Sequence, residues 1–418
     1  MPSTTERPSH LAMGHILGLS ALLVLPIAIF VPKGIAVLFG LTALSLLIVD
    51  LAGGRKDPFR NERGMRLAAA FAILAVTSAM WSMTPGATLQ KAFIFSLVLF
   101  AGLILVSTAR RLGELEKRTF DIGLIAGGII GSTVIGVEIT FESPIYTFLL
   151  QSRGRSPETP IVMLRTINQG AAVAAIFLLP WTMALKRHLG PVWASIGFLF
   201  CIIVLAFCQA DTQKAALVIG VTAACIAFIG GRFFLKISSL LLVVGVLAAP
   251  WVVSALPDPL QPNSPAAELP NSSQHRLVIW QTTADHIFER PFAGSGFDTA
   301  RAFYGRDQRV LNFFGGKGPN NKWVNLFEPI PLHPHNGVLQ VWLELGALGA
   351  ILLAVGLFFI VHRLATVENN FERSMVFGSF VTGLAIFSVS YGAWQGWWMG
   401  AIWLMMAFAA AALEGKSK

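Results

Sequence analysis

The sequence predicts an all-α membrane protein with about twelve transmembrane helices and one large outer loop containing short helices, on the basis of three observations. Hydrophobic residues make up 55% of the 418 residues and charged residues only 13%, which leaves too little polar surface to cover a water-soluble domain of this size. Apolar runs that can cross a ~30 Å hydrocarbon layer recur along the chain. Basic residues cluster in the short segments between these runs, as in multi-pass proteins.

The apolar runs give the predicted spans in order, with about 20 residues per crossing as the guide. They cover residues 11–31, 34–51, 67–83, 92–108, 122–140, 170–185, 191–207, 215–229, 237–256, 337–361, 376–391 and 397–413. The chain thus divides into spans one to nine in residues 1–256, a large loop in 257–334 and spans ten to twelve in 335–418. The first run is interpreted as a retained span, because no small-residue cleavage site follows it before Lys33.

The net charge of +9 is explained by orientation in a bilayer and not by nucleic-acid binding. If the N-terminus is cytoplasmic, the short inner segments hold 18 of the 31 Lys and Arg residues. Seven of the other 13 lie in residues 257–334, a segment too long for the charge rule to apply. We therefore predict that both termini are cytoplasmic, that the chain is solvated by a phospholipid bilayer, and that function resides on the outer face.

A short amphipathic helix is predicted inside the large loop, which begins with an irregular segment rich in Pro, Ser and Asn. Apolar residues at helical spacing indicate this helix, namely Leu277, Trp280, Ala284 and Ile287. Ser272 or Ser273 would cap the helix, and Arg290 and Pro291 would end it. Arg276 then lies in its first turn.

The most informative stretch is LHPHNGVLQVWLELGALGA, residues 332–350, at the start of the tenth span. Asn336 is the predicted N-cap of this helix, and Gly346 and Gly349 give it a small-residue face for a close neighbour. His335 then sits at the membrane rim, where an imidazole can act as a general base at neutral pH. The alternative is an interfacial histidine that only hydrogen-bonds to loop backbone.

This stretch resembles the hallmark of the O-antigen ligase and O-antigen polymerase superfamily, which is a His-Asn pair, nine residues and then Gly-x-x-Gly at the end of a long periplasmic loop. His335, Asn336, Gly346 and Gly349 match that pattern in full. A second segment, RLVIWQTTADHIFERPFAGSGFD, resembles another family motif through Arg276, Trp280, Pro291, Gly294 and Gly296. The firm matches occupy residues 276–349.

The resemblance implies a GT-C-like helical fold in the bacterial inner membrane with an active site on the periplasmic face. The donor would be a glycan on undecaprenyl pyrophosphate, and the reaction a metal-independent, inverting displacement at the anomeric carbon. His335 would activate the acceptor hydroxyl and Arg276 would hold the pyrophosphate, to which a guanidinium fork is well suited. The acceptor would be lipid A-core in a ligase, another lipid-linked repeat unit in a polymerase, or a protein hydroxyl.

Three further cations are candidates for binding the same pyrophosphate. The family usually carries a Ser-Arg pair at the outer entrance of the eighth span, where this chain reads ADTQKAAL and places Lys214. Lysine keeps the charge but loses the bidentate fork, and a snorkelling lysine is the alternative. Arg165 and Arg155, before the sixth span, are weaker candidates that could equally be interfacial charges. No tight ligand spacing such as His-Glu-x-x-His occurs, so neither a metal nor a cofactor is expected.

A twelve-helix transporter is the competing class of protein. Against it, the spans carry few charges, Glu138 and Glu344 near helix ends being the exceptions. The two halves also show no matching interrupted helices, and a single large outer loop suits chemistry at the surface better than alternating access. The sequence therefore favours an enzyme.

Overall fold

The computed structural model describes residues 9–53, 62–156, 167–261, 263–303, 311–312, 326–327 and 330–413. Within these ranges helices are joined by turns and irregular segments, and there is one antiparallel pair of two-residue strands, β1 (Leu311–Asn312) and β2 (Leu326–Phe327). The helices are α1 (Ser9–Phe30), α2 (Gly34–Ala52), α3 (Glu62–Thr77), α4 (Pro85–Ala109), α5 (Glu114–Thr140), α6 (Pro144–Ser152), α7 (Asn168–Leu189), α8 (Pro191–Phe207), α9 (Asp211–Ser254), α10 (Asn271–Glu289), α11 (Gly337–Leu364), α12 (Asn370–Val389) and α13 (Gly396–Ala412). Short 3₁₀ turns lie at Ser78–Met80, Pro265–Glu268 and Ala300–Phe303.

The predicted all-α class is confirmed, and every predicted apolar run overlaps a helix of the described chain. Eight helices there are long and apolar enough to cross a membrane. The apolar helices α8 and α13 are shorter, with 17 residues each. The count of twelve crossings stays a prediction.

Helix α9 consists of two arms joined at Gly231, whose φ of 59° and ψ of −148° are not helical. The first arm runs antiparallel to α12. Near its start, Gln213 donates a hydrogen bond to the hydroxyl of Tyr391, just past the end of α12. Near its finish, the carbonyl of Phe228 accepts from the side chain of Asn370, the first residue of α12.

The second arm of α9 returns to the end of the bundle where the first arm began. The carbonyl of Val246 accepts a hydrogen bond from the indole of Trp342, close to the start of α11. Just past the arm, the carbonyl of Leu256 accepts from Gln281 in α10. The two arms thus match the predicted runs 215–229 and 237–256, and Gly231 is the turn between them.

Helix α7 lies at the centre of the bundle, since all its residues from Gly170 to Leu185 are buried. Ion pairs to buried carboxylates join helices at one end of the bundle. Arg187 contacts the carboxylates of Asp121 at 2.9 Å and Glu372 at 3.2 Å, which joins α5, α7 and α12. The ammonium of Lys117 donates to the carbonyl of Leu413 at 2.8 Å, so the last helix finishes at this same end.

At the opposite end of the bundle, the backbone of the large loop crosses a break in α11 at Gly346, where φ is 62° and ψ is −158°. Three backbone hydrogen bonds satisfy groups that the break leaves open: Ala347 N–H to the Pro291 carbonyl (2.8 Å), Ser295 N–H to the Leu343 carbonyl (3.0 Å) and Gly296 N–H to the Glu344 carbonyl (2.8 Å). A Cβ on Gly294 would collide with the backbone of α11, and one on Gly346 with the backbone of the loop. Glycine is therefore required on both sides of the crossing.

Two sequence expectations about α11 are corrected by this crossing. Gly346 does not offer a face to a neighbouring helix, because its close neighbour is the loop segment at Phe292. At Gly349 an added Cβ would meet side chains of α11 itself, such as Leu345.

The expectation that the two halves show no matching interrupted helices also needs qualification, since α9 and α11 both contain a glycine with non-helical angles. The turn at Gly231 joins two arms, whereas the break at Gly346 is filled by the loop.

Helix α10 begins earlier than predicted, at Asn271, and Pro270 occupies the N-cap position instead of Ser272 or Ser273. Arg276 consequently lies in the second turn, and the argument from the first-turn helix dipole does not apply. The helix ends before Arg290, as predicted. Its buried face is formed by residues that include Ile279, Thr283 and Ile287, whereas Leu277 and Trp280 are half-buried.

We expect Gly346→Ala to destabilise the protein, because a positive φ is unfavourable for alanine and the methyl group would collide with the loop backbone. The cost should be about 2 kcal/mol or more, seen as a lower melting temperature in detergent. Gly245→Ala is the matched control, since nothing lies within 4 Å of the added Cβ. Equal melting temperatures for the two variants would show that the crossing carries no stability.

Candidate active site

His335 occupies a tight turn immediately before α11. Its φ of 53° is unusual for a residue with a side chain. The backbone N–H of His335 donates to Nδ1 of His333 at 3.1 Å. Asn336 is the N-cap, as predicted, and its side chain accepts from the N–H of Leu339 at 3.0 Å. The helix end and this turn together fix the position of the imidazole.

The tautomer of His335 follows from its hydrogen bond to the carbonyl of Ser390, at 2.8 Å from Nδ1. A carbonyl oxygen only accepts, so Nδ1 carries the proton and Nε2 of the neutral ring keeps its lone pair. Burial is the main cause that lowers the pKa of His335 below 6.5, and the charge of Arg276 lowers it further, against the opposing effect of Ser390. The ring is therefore neutral at pH 7 and can accept a proton through Nε2.

Arg276 is a half-buried cation without an anionic partner among the described residues. It forms neither a hydrogen bond nor an ion pair with any residue in those ranges, and burial lowers its pKa. Its charge acts on His335, so the two groups lie within electrostatic range of each other. Because an unpaired buried charge is costly, this guanidinium is suited to receive an anionic group.

His333 packs against His335 with ring centroids 4.3 Å apart. Burial, the neighbouring His335 and Arg301 together lower the pKa of His333 to about 4. Its ring is thus neutral at physiological pH, and its Nδ1 accepts the His335 N–H noted above. His333 supports the turn that presents His335.

Arg301 is a second cation near the histidine pair that the sequence analysis missed. It lies in the 3₁₀ turn Ala300–Phe303 with an exposed side chain, and its charge acts on both His333 and Asp298. Burial raises the pKa of Asp298, while the charges of Lys91 and Arg301 lower it. The only available signal in the sequence was the proximity of Arg301 to the Gly294-x-Gly296 motif.

The structure describes two of the other three predicted pyrophosphate ligands, and their contact with the donor stays a prediction. The ammonium of Lys214 contacts the carboxylate of Asp211 at 2.7 Å, so its charge is partly neutralised. Arg155 is exposed beyond the end of α6. Arg165 lies outside the described residues. Trp280 is half-buried one turn after Arg276 and packs against the core formed by α9, α10 and α11.

The fold and the site define a helical multi-pass membrane protein. At one end of its bundle lie a neutral imidazole and, within electrostatic range of it, a guanidinium that has no partner among the described residues. Residues 196–354 match the family model described as "O-Antigen ligase". This range contains both Arg276 and His335 and the glycine crossing at Gly346. The match confirms the resemblance to the O-antigen ligase superfamily.

Curated relatives of similar sequence are named as polysaccharide ligases. A protein of Rickettsia conorii named "Putative polysaccharide ligase" is 30% identical over 186 residues, which are 43% of this chain and 43% of the relative. A protein of Rickettsia prowazekii with the same designation is 29% identical over 215 residues, 50% of each chain. The chain thus matches about half the length of these relatives.

Replacing Arg276 should move the titration of His335 in a defined direction. Arg276→Ala removes a positive charge that disfavours the imidazolium, so the pKa of His335 should rise, whereas Arg276→Lys should leave it near the wild-type value. NMR titration of histidine-labelled protein in detergent, with His335→Asn to assign the signal, measures the pKa. An unchanged pKa in Arg276→Ala would show that the two groups do not sense each other.

Proposed function

We propose that the protein is an O-antigen ligase-type glycosyltransferase. It transfers a glycan from undecaprenyl pyrophosphate to a hydroxyl of lipid A-core. The family match and the names of the relatives support transfer of a polysaccharide. The cation Arg276, within electrostatic range of the neutral His335, supports a pyrophosphate-linked donor. A polymerase of the same superfamily, which would use the end of another lipid-linked glycan as acceptor, is the alternative.

In the proposed reaction His335 is the general base and Arg276 stabilises the leaving group. Nε2 of His335 accepts the proton of the acceptor hydroxyl, and the oxygen attacks the anomeric carbon from the face opposite the pyrophosphate. The bond from that carbon to the pyrophosphate oxygen breaks, and its electron pair stays on the departing oxygen. Arg276 stabilises the growing negative charge. A single displacement of this kind inverts the anomeric configuration and requires no cofactor.

The proposed orientation follows the distribution of basic residues. Twelve crossings would place both termini in the cytoplasm and the end of the bundle with His335 at the periplasmic face of the inner membrane. The described residues support an even number of crossings. Gly14, near the start of α1, packs against Glu116, and Leu413, just after α13, contacts Lys117. The start of α1 and the end of α13 therefore lie at the same end of the bundle. In this arrangement Lys214 and Arg155 face the headgroup region and are secondary contacts of the donor, as is Arg165.

His335→Ala is expected to abolish glycan transfer, because it removes the proposed base, while the variant remains expressed and inserted. His362→Ala is the matched control, since His362 is exposed near the other end of the same helix. Transfer is measured with purified donor and acceptor in liposomes, at equal amounts of folded protein. Full activity of His335→Ala would remove His335 from the mechanism.

Deleting the encoding gene separates the ligase from its alternatives. For a ligase, gels should show loss of all capped lipopolysaccharide together with accumulation of lipid-linked polymer. Caps shortened to one repeat unit would indicate a polymerase. Unchanged lipopolysaccharide and exopolysaccharide, together with a loss of substrate uptake, would contradict both and favour the transporter.

A further inference from the structure

Glu344 is a fully buried carboxylate in α11, two residues before the break at Gly346. It accepts four hydrogen bonds. Its Oε2 accepts from the backbone N–H of Asp298 at 2.6 Å and from the indole N–H of Trp394 at 2.5 Å. Its Oε1 accepts from the N–H of Ala300 at 3.2 Å and from the side-chain amide of Gln340 at 2.9 Å. One side chain thus holds two separate outer segments against α11.

The first of these segments comes from the large loop. By holding the backbone at Asp298 and Ala300, Glu344 fixes the residue that follows, Arg301. The charge of Arg301 acts on His333, so this segment lies within electrostatic range of the histidine pair. The position of this segment therefore sets the distance between Arg301 and the histidine pair.

The second segment is the turn between α12 and α13, residues 390–395. Glu344 holds it directly through Trp394 and indirectly through Gln340, whose Oε1 accepts from the N–H of Ala393 at 2.8 Å. The same turn contains the Ser390 carbonyl that accepts the Nδ1 proton of His335. The position of Glu344 therefore governs the partner that orients the proposed base.

Glu344 is not itself arranged to touch substrate. Its side chain is inaccessible, and each oxygen already accepts two hydrogen bonds, which fills the usual capacity of a carboxylate. Stability alone also does not explain Glu344, because burying a carboxyl group costs more free energy than burying an apolar residue of similar size. Its value lies in the geometry that it imposes on the two segments.

We infer that Glu344 is the positioning residue of the site: it aligns His335, through the Ser390 turn, with the loop segment that carries Arg301. This inference rests on the proposed function, since it concerns the same histidine. A glutamine cannot replace Glu344. Its amide NH₂ would stand where one carboxylate oxygen now accepts two hydrogen bonds, so it would face two N–H donors and accept from neither. One of the two segments must then move.

The test compares Glu344→Gln with Glu138→Gln in the liposome transfer assay. Glu138 is also a fully buried carboxylate in a helix, and it accepts from the N–H groups of Ile145 and Tyr146 at the start of α6. Glu344→Gln should lower kcat by about 100-fold, because displacement of a base by about 1 Å has that effect. The KM for the donor should change little, since Arg276 lies on α10 outside this network. Glu138→Gln should retain wild-type kcat.

Gln340→Met provides a second variant in case Glu344→Gln fails to fold. It removes the link to Ala393 while keeping the side-chain volume, and it should also lower kcat without raising the KM for the donor. Wild-type kcat per folded molecule in either folded variant would overturn the inference and assign Glu344 to stability only. The proposed function fails separately, if His335→Ala remains active.

Discussion

The backbone crossing at Gly346 is the constraint on which the rest of the site depends. The loop turns back after α10, and its segment around Gly294 replaces hydrogen bonds that α11 gives up at the break. The backbones of the loop segment and of α11 are in close contact, which leaves no room for a side chain on either one. The geometry therefore requires a glycine in each. This crossing brings Arg276, upstream in the loop, to the same end of the bundle as His335.

The two ends of the bundle use arginine differently. At the end that holds Lys117 and Leu413, Arg187 pairs with Asp121 and Glu372, and Arg111 contacts the buried carboxylate of Asp50 at 2.6 Å. Those arginines join helices. Arg276 has no such carboxylate among the described residues, although it too is half-buried. This difference fits the proposal that Arg276 binds an anion from outside the protein.

The sequence predicted the parts of this protein that depend on local pattern and hydrophobicity. The apolar runs located the helices, and the Asn336 cap and the end of α10 at Arg290 followed from local chemistry. Contacts through backbone atoms could not be read in the same way. Every residue has a backbone carbonyl, so the identity of Ser390 does not predict that its carbonyl binds His335. The residue type of Gly346 likewise does not show whether it packs against a helix or a loop. Glu344 did carry a signal, since an acid within an apolar span is rarely without a role.

The most direct test of the account is a double-mutant cycle for Arg276 and His335, measured as the rate of glycan transfer in liposomes. If both side chains act on one substrate in one step, Arg276→Ala should be far slower than Arg276→Lys, and adding His335→Ala to Arg276→Ala should cost much less than the same change costs the wild type. Strictly multiplicative losses, or equal rates for wild type, Arg276→Lys and Arg276→Ala, would contradict the claim that the imidazole and the guanidinium share one substrate.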